Sequence, residues 1–312
     1  MKIIVTGALG HIGSSLIRFL PTQFPGAKII MIDNIMTQRF CSLFDLPALG
    51  DFSFIDADVT KVDLQPILQG AHVLIHLAAI TDAAASFGKA ELLEANNYKA
   101  TLKVAEACIN SGTRLIALSS TSVYGSQKDT VSEDCLDEDL QPSSPYAMTK
   151  LKEERVIKDF INESGLKAVS CRFGTIFGPS PGMRFHTAVN KFCWQAAMGL
   201  PITVWKTAYD QKRPYLDLSD AVRAIAHIIR NDIFDGRIYN ILTHNSTVCE
   251  VVEIIREFYP ELEICFVDSE IMNQFSYEVL SERFLSKGFI FSGDMRGGIG
   301  KTISLLRRAN TV

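Results

Sequence analysis

Two side chains suited to proton transfer stand four residues apart near the middle of the sequence. Tyr146 and Lys150 follow Pro-Ser-Ser-Pro at residues 142–145, and the last of these prolines is typical of a helix start. Residues at i and i+4 share one face of a helix, so the spacing predicts an ammonium beside a phenol. Bringing a phenol pKa from about 10 to near neutrality requires roughly 4 kcal/mol of stabilisation of the phenolate. A phenolate in this position can take the proton from a substrate hydroxyl.

The same Tyr-x3-Lys spacing occurs a second time, at Tyr124 and Lys128, with Gly-Ser-Gln between the two residues. Glycine and serine favour a loop, in which the two side chains share no helical face. We therefore interpret the second copy as structural.

A glycine-rich loop lies between a short apolar run at the amino terminus and an amphipathic segment. Gly7, Gly10 and Gly13 have the spacing G-x2-G-x2-G, and Asp33 stands twenty residues after the last of them. Glycines let the backbone approach a pyrophosphate at a helix N-terminus, and a carboxylate after the second strand binds ribose hydroxyls. Because that carboxylate would repel a 2′-phosphate, the pattern predicts NAD rather than NADP as the cofactor.

The elements that must position these residues alternate between β-branched runs and helical stretches. This pattern predicts an α/β fold with a parallel sheet covered on both faces. Strands are predicted at 2–6, 28–33, 52–56, 73–77, 114–119 and 168–173, and helices at 12–20, near 64–68, at 90–110 and at 146–162. Right-handed crossovers then give a doubly wound sheet, the NAD-binding Rossmann fold, with its ligand crevice at the carboxyl ends of the strands. The hydroxyl run 119–122 ends the fifth strand at that edge, where one of its hydroxyls could orient the substrate oxygen and help to pass its proton to Tyr146.

The pattern changes after residue 173. A Gly-Pro-Ser-Pro-Gly loop at 178–182 precedes a predicted helix near 186–198, and a strand at 214–218 with a helix at 219–230 indicates a return to the first domain. We therefore predict an NAD-binding domain of residues 1–173 and about 214–240. A smaller mixed α/β carboxy-terminal domain, of about 174–213 and 241–312, is predicted to bind the substrate.

Composition and charge argue against several classes of protein. The formal net charge of -4 and the absence of a basic run disfavour nucleic acid as a partner. No stretch nears the roughly 20 apolar residues that span a bilayer, and the first apolar run is too short for a signal peptide, so we expect a cytoplasmic protein without a membrane partner. The seven cysteines are scattered, and His72 and His76 bracket an apolar strand, so we predict neither disulfides nor a metal site.

Several motifs occur in one order along residues 1–260. They are Thr6-Gly7-x2-Gly10-x2-Gly13, Asp33-Asn34, His76-Leu77-Ala78-Ala79, Asn97, Ser119-Ser120-Thr121-Ser122-Val123-Tyr124-Gly125, Tyr146-x3-Lys150 and Arg172-x4-Phe177-Gly178-Pro179. This set resembles the NAD-dependent epimerase/dehydratase family of extended short-chain dehydrogenases/reductases.

The resemblance implies roles for individual residues. Ser120 is implied as the catalytic hydroxyl, Tyr146 as the base, and Lys150 as the cation that holds both the nicotinamide ribose and the phenolate. The implied contacts of NAD are Gly7, Gly10, His11, Ile12, Gly13, Asp33, Asn34, Asp58, Val59, Leu77, Ala78, Ala79, Asn97, Ser119, Tyr146, Lys150 and Phe173. The implied substrate is a nucleotide-diphosphate sugar, held by Ser120, Ser122, Tyr146, Thr175, Asn190 and Arg213. The Arg213 guanidinium suits the diphosphate because it offers a bidentate fork to phosphate oxygens.

The resemblance also implies a homodimer formed through the helices that carry Asn97 and Tyr146, and a place in carbohydrate biosynthesis. The apolar spacing of Leu92, Leu93, Ala100, Val104 and Ala107 is compatible with such an interface. The same spacing would arise if this face of the helix lay on the sheet, so both interpretations stay open.

The type of reaction depends on the residues after the catalytic hydroxyl. The family's 4,6-dehydratases have Asp-Glu there, whereas this chain has Thr121 and Ser122, which are not general acids near neutral pH. The same positions disfavour decarboxylases with a Glu and epimerase-reductases with a Cys. Thr175 also stands where the family often has Asn, which puts a usual backbone-positioning contact in doubt.

The reactions that remain need hydride transfer and no additional acidic residue. We therefore predict a nucleotide-sugar epimerase, an isomerase that oxidises a ring hydroxyl, at the 4 position, to a transient ketone and returns the hydride. The alternative is an NAD-dependent nucleotide-sugar dehydrogenase or ketoreductase, an oxidoreductase. A dehydratase or a small-alcohol dehydrogenase is less favoured, and a non-catalytic NAD-sensing regulator is disfavoured because Tyr146 and Lys150 are both present.

Overall fold

Strands and helices alternate along the chain in the computed structural model, which describes residues 1–81, 88–125, 129–268 and 276–307. The strands are β1 (Lys2–Thr6), β2 (Lys28–Asp33), β3 (Asp51–Asp56), β4 (Val73–His76), β5 (Arg114–Ser120), β6 (Thr130–Val131), β7 (Ala168–Phe173), β8 (Thr175–Phe177), β9 (Ile202–Trp205), β10 (Lys212–Asp217), β11 (Ile238–Ile241), β12 (His244–Thr247), β13 (Ile264–Val267) and β14 (Glu278–Val279). The helices are α1 (His11–Gln23), α2 (Gln65–Leu68), α3 (Ala90–Leu93), α4 (Lys99–Ser111), α5 (Pro145–Ser164), α6 (Ala188–Ala197), α7 (Leu218–Arg230), α8 (Val248–Arg256), α9 (Glu282–Leu285) and α10 (Met295–Leu306).

A large sheet forms the centre of the fold. Within the described ranges it has seven strands in the order β11-β7-β5-β4-β1-β2-β3, and every neighbouring pair is parallel. The predicted doubly wound α/β fold is therefore confirmed. The strands predicted at 2–6, 28–33 and 168–173 have the observed bounds, and the other three differ by one residue at one end. The strand order reverses at β1, so a crevice opens between the carboxyl ends of β1 and β4.

Both faces of this sheet are buried under helices. On one face, α1 and α7 pack together and contribute Leu16 and Ile225 to a core with Val5 of β1. On the other face, Val104 of α4 and Ile157 of α5 lie in a second core. Burial on both sides explains why the strands consist of nearly continuous apolar residues.

The helix predicted over 90–110 is interrupted. A π-helical turn, Glu94–Tyr98, separates α3 from α4, and the fully buried Asn97 lies in this turn. Its side-chain nitrogen donates to the Ile80 carbonyl at 2.9 Å, and its side-chain oxygen accepts from the Ile80 amide at 2.8 Å. The π turn thus presents an amide that fixes the loop after β4, a use typical of such turns near functional sites.

The carboxy-terminal part has its own sheets and core. Strands β8, β10 and β12 form a mixed sheet, and α6, α8 and α10 surround a core that includes Val251 and Ile299. The strand predicted at 214–218 corresponds to β10 and lies in this smaller sheet. The chain returns to the large sheet with α7, which packs on α1, and with β11. The division into two domains stays a prediction.

The part of the chain that the structure describes has no helix that is both long enough and apolar enough to cross a membrane. All seven cysteines fall in the described ranges, and no disulfide joins any two of them there. Cys108, Cys171 and Cys193 are buried, and burial raises the pKa of the Cys108 thiol to about 12, so these three behave as small apolar core residues.

Candidate active site

A cavity of about 530 Å³ opens at the carboxyl edge of the large sheet, where β1 and β4 diverge. Most of the predicted cofactor residues line it, namely Gly7, Gly10, His11, Ile12, Gly13, Asp33, Asn34, Asp58, Val59, Leu77, Ala78, Ala79, Ser119, Tyr146, Lys150 and Phe173. So do the predicted substrate residues Ser120, Ser122, Tyr146, Thr175 and Arg213. The topology therefore brings the glycine loop and the proposed proton-transfer residues into one site.

The glycine loop is shaped so that two of its positions accept no side chain. Gly7 has a φ of +66°, and a Cβ there would lie 2.6 Å from the Ala78 amide nitrogen. A Cβ on Gly13 would lie 2.4 Å from the Gly7 carbonyl oxygen. The loop leads directly into α1, whose N-cap is Gly10, so its free amides and the helix dipole suit a pyrophosphate.

Asp33 is fixed at the end of β2 by the main chain around it. One carboxylate oxygen accepts from the Leu9 amide at 3.0 Å and the other from the Ile35 amide, also at 3.0 Å. Each oxygen retains a lone pair for a ribose hydroxyl. Asp58 instead caps its own turn, accepting from the Thr60 amide at 2.9 Å and hydroxyl at 2.7 Å.

Helix α5 carries the tyrosine and lysine into the cavity. Ser144 caps the helix by accepting from the Ala147 amide at 3.2 Å, and Pro145 occupies its first turn. The Lys150 ammonium is almost fully buried and donates to the Leu118 carbonyl of β5 at 2.9 Å. The predicted pairing of Tyr146 and Lys150 on one helical face therefore holds in the structure.

Hydroxyls at the end of β5 complete this cluster. The Ser120 side chain hydrogen-bonds the phenol of Tyr146, and its oxygen accepts from the Ser122 amide at 3.2 Å and hydroxyl at 2.9 Å. The neighbouring Ser119 hydroxyl lines the cavity and is buried without a hydrogen-bond partner among the described residues. An orphaned buried hydroxyl facing a cavity is a group that a bound cofactor would satisfy, so the site fits NAD.

The pKa of the phenol differs from the sequence expectation. Burial raises the pKa of Tyr146, and Lys150 and the hydrogen bond with Ser120 act in the opposite direction. The Glu153 carboxylate, whose oxygen lies 2.9 Å from the lysine nitrogen, raises the pKa of Tyr146 in the same direction as burial.

Two histidines that line the cavity are neutral in the folded protein. His11 donates from Nε2 to the Gly178 carbonyl at 2.7 Å, and burial lowers its pKa to about 4. His76 lies 2.8 Å from the Thr6 hydroxyl through Nδ1, and burial lowers its pKa to about 3. Across the described ranges, no group of three or more His, Cys, Asp or Glu side chains is placed to hold a metal ion.

Two predicted ligand residues lie behind the wall of the cavity. Asn97 fixes the loop after β4 through Ile80. Asn190 is fully buried, accepts from the Gly178 amide at 3.2 Å and donates to the Arg184 carbonyl at 3.1 Å. Both amides therefore support segments that line the cavity.

Sequence reasoning missed Arg184 and Tyr277, which also line the cavity. The Arg184 guanidinium donates to the Thr81 hydroxyl, and its charge acts on both His11 and Tyr146. It follows a proline-rich loop, where no periodic pattern marks a position as facing the site.

Arg213 also lines the cavity. Its guanidinium donates to the Gln211 side-chain oxygen at 2.6 Å and lies 5.7 Å from the centroid of the Tyr277 ring. The Tyr277 hydroxyl in turn donates to the Thr121 carbonyl at 3.3 Å. The predicted arginine is therefore held at the cavity wall by an aromatic ring that also contacts the hydroxyl run.

The second Tyr-x3-Lys copy has a structural tyrosine. Tyr124 is buried, donates to the Asn240 side-chain oxygen at 2.8 Å and has the Arg172 guanidinium 4.7 Å from its ring centroid. Lys128 lies outside the described residues.

Comparisons with known proteins agree with this geometry. A model of the NAD-dependent epimerase/dehydratase family matches residues 3–241. The chain is 32% identical over 267 residues to the uncharacterized UDP-glucose epimerase YtcB of Bacillus subtilis (strain 168), with 82% of each chain covered.

Solved structures resemble the whole chain. A UDP-glucuronic acid 4-epimerase from Bacillus cereus, in complex with UDP-glucuronic acid and NAD, is 25% identical and superposes with a TM-score of 0.89, covering 99% of both chains. MoeE5, in complex with UDP-glucuronic acid and NAD, is 28% identical with a TM-score of 0.85 and the same coverage. The family match over residues 3–241, together with the glycine loop and the Ser120, Tyr146 and Lys150 cluster, shows that this chain is an enzyme of the NAD-dependent epimerase/dehydratase family.

Proposed function

We propose that the protein is a 4-epimerase for a UDP-linked sugar acid and uses NAD without net oxidation of its substrate. The observation that carries the proposal is the hydroxyl chain from Ser122 through Ser120 to Tyr146, beside the Lys150 ammonium and at the mouth of the glycine loop. Dehydration would need a further acid, and Thr121 and Ser122 stand where that acid would be required.

The residues of this cluster have distinct roles in the proposed reaction. The Tyr146 phenolate takes the proton from the 4-hydroxyl of the sugar, and Ser120 holds the oxygen as the carbonyl forms. Lys150 stabilises the phenolate by its charge. The same tyrosine returns the proton when the carbonyl is reduced from the other face of the ring, so the sum is an isomerisation.

Bound NAD supplies the redox chemistry by accepting a hydride from the sugar carbon and giving it back. Gly7 and Gly13 would leave room for its pyrophosphate, and Asp33 would accept hydrogen bonds from its adenosine ribose. The nicotinamide ribose would be held by Lys150. The guanidinium of Arg213, which lines the same cavity, suits the diphosphate of the substrate.

Arg184 favours a sugar that carries a carboxylate. Its guanidinium lines the cavity on the side of Tyr146, and the Thr175 hydroxyl lines the same space. A guanidinium and a hydroxyl suit recognition of a carboxylate at carbon 6 of a hexose. The Bacillus cereus epimerase and MoeE5 both have UDP-glucuronic acid bound, which supports this substrate class.

The test is conversion of UDP-glucuronic acid by the purified protein with substoichiometric NAD, followed by proton NMR. We expect the 4-epimer to accumulate to equilibrium without net formation of NADH, and Tyr146→Phe to abolish conversion. UDP-glucose and UDP-N-acetylglucosamine serve as neutral substrates, and Arg184→Met is expected to raise KM for the acid and not for them. If NADH forms in the same amount as an oxidised product, the protein is a dehydrogenase and not an epimerase. If none of the three sugars is converted, the proposal is wrong.

We also propose a homodimer formed through α3, α4 and α5. Leu93, Ala100, Val104 and Ala107 are buried within the chain, so they do not form an exposed face for a partner. The support instead comes from Leu92 and Met148, which are 53% and 51% exposed on α3 and α5. Light scattering is expected to give a dimer for the wild type and a monomer for the double variant L92E/M148E. A monomeric wild type would refute the dimer. The cytoplasmic location stays a prediction.

A further inference from the structure

Two adjacent glutamates of α5 bind different partners inside the protein. Glu154 uses both carboxylate oxygens on Arg172, at 2.9 and 2.6 Å. Glu153 uses a single oxygen, Oε2, which accepts from the Lys150 ammonium at 2.9 Å and from the Thr101 hydroxyl at 3.0 Å. Its other oxygen, Oε1, is buried and has no hydrogen-bond partner in the described part of the chain.

The surroundings of the Glu153 carboxylate do not favour the stability of the folded protein. A buried carboxylate loses its hydration, and an unpaired oxygen recovers none of that loss. The Lys150 ammonium already has a main-chain acceptor in the Leu118 carbonyl, at 2.9 Å. The negative charge of Glu153 therefore lies beside the lysine that acts on Tyr146. This position indicates that Glu153 has a role in the chemistry of the site.

The charges around the tyrosine and lysine define what Glu153 can do. Burial lowers the pKa of Lys150, and the Glu153 carboxylate raises it. The same carboxylate raises the pKa of the Tyr146 phenol, as burial does, against the direction in which Lys150 acts. Other charged or titratable groups facing the pair are Glu154 on the same helix, His76 at the end of β4 and Arg184 from the segment after β8. His76 is neutral, and Glu154 is committed to Arg172.

We propose that Glu153 is a positioning residue, which holds the Lys150 ammonium through a buried ion pair and sets the pH at which Tyr146 becomes a base. The inference rests on the proposed function, because it concerns the proton transfer at Tyr146. It assigns to Glu153 a role that requires no contact with the substrate.

The first test is the pH profile of kcat/KM for Glu153→Gln, which keeps the shape of the side chain and removes its charge. Loss of the carboxylate makes both the phenolate and the neutral lysine easier to form, so both limbs are expected to move to lower pH, by about one unit. Glu153→Asp keeps the charge and is expected to restore most of the profile. Glu94→Gln is the control. Glu94 pairs at the surface with Lys152, which lies on α5 as Glu153 does, and no shift of the pH profile is expected.

A direct titration separates this inference from the proposed reaction. The phenolate absorbance of the NAD-bound protein is followed with pH, and Tyr146 is isolated by subtracting the Tyr146→Phe titration from that of the wild type. The same subtraction in the Glu153→Gln background is expected to give a lower pKa for Tyr146, whether or not the substrate has been identified correctly. If conversion is absent but this shift is seen, the proposed reaction is wrong and the role of Glu153 stands.

Thr101→Val keeps the inference testable if Glu153→Gln does not fold. Removing the hydroxyl that donates to Glu153 leaves the negative charge less compensated, so a smaller shift of both limbs to higher pH is expected. An unchanged Tyr146 titration in a folded Glu153→Gln protein would overturn the inference, even if its thermal stability falls. If Glu153→Gln cannot be made, an unchanged pH profile of kcat/KM for Thr101→Val would also overturn the inference.

Discussion

The ion pair between Glu154 and Arg172 lies directly beneath the candidate site. Its side chains are 4% and 3% exposed, and the guanidinium makes two hydrogen bonds, of 2.9 and 2.6 Å, to the carboxylate. Arg172 immediately precedes Phe173, which lines the cavity, so the pair joins α5 to β7 next to the proposed nicotinamide site.

Glu154→Gln tests how much of the stability depends on this pair. The amide retains one acceptor for the guanidinium but turns an NH2 group towards the second donor, and a buried charge is left without its counter-charge. Removing one partner of a buried pair costs about 3–5 kcal/mol, and since one acceptor remains we expect about 3 kcal/mol here. The control is Glu278→Gln, whose partner is Lys212 and whose pair is 39% and 46% exposed. An exposed pair of this kind contributes little to stability, because solvent screens the two charges.

Urea unfolding followed by circular dichroism gives the free energy of unfolding of each variant at one pH. A double variant, E154L/R172M, is expected to recover most of the loss, because it removes the uncompensated charge along with the pair. If Glu154→Gln loses no more stability than Glu278→Gln, the argument from burial is wrong.

Gly13→Ala would bring a Cβ to 2.4 Å from the Gly7 carbonyl oxygen, and NAD affinity measured by calorimetry is expected to fall at least about tenfold, since the neighbour is backbone and cannot turn away. Asp33→Ser removes the charge that repels a 2′-phosphate, so the preference for NAD over NADP, from the two Kd values, is expected to fall by about tenfold or more; an unchanged ratio would contradict the role of Asp33. Burial lowers the pKa of His76 to about 3, so the unfolded chain takes up a proton that the folded chain does not. The free energy of unfolding is therefore expected to decrease as the pH falls below about 6.5, and His76→Gln should reduce that slope by up to about 1.4 kcal/mol per pH unit in urea titrations at several pH values.

The elements that could be predicted are those whose pattern is local. β1, β2 and β7 are short apolar runs between turn residues, and both of their faces are buried, so their bounds follow from composition. The π turn at Glu94–Tyr98 could not be found this way, because one extra residue in a helix barely alters an apolar period. The pairing of β10 with β12 was also out of reach, since a strand's partner is decided by tertiary packing.

The same distinction applies to the site. Tyr146 and Lys150 were predictable from one helical spacing, and a hydroxyl of the run 119–122 from one strand end; the family resemblance then indicated Ser120. Arg184 and Tyr277 enter the cavity from segments without a period, so nothing in the sequence marked them. The side chains of Asn97 and Asn190 hydrogen-bond main-chain groups and do not line the cavity. The residue type alone could not show this.

The start of α1, which follows the glycine loop, is hydrogen-bonded to the loop at residues 178–182. His11 donates to the Gly178 carbonyl at 2.7 Å, and the Ser180 hydroxyl donates back to the His11 carbonyl at 2.9 Å. The Gly182 amide donates to the Ser14 hydroxyl at 2.9 Å, two residues before Arg184. Since burial lowers the pKa of His11 to about 4, this imidazole is neutral above that pH, and its proton lies on Nε2, from which it donates to Gly178. A change in the glycine loop is therefore expected to displace Arg184, which we propose to bind the sugar, as well as the residues proposed to bind NAD, because these hydrogen bonds connect the two segments.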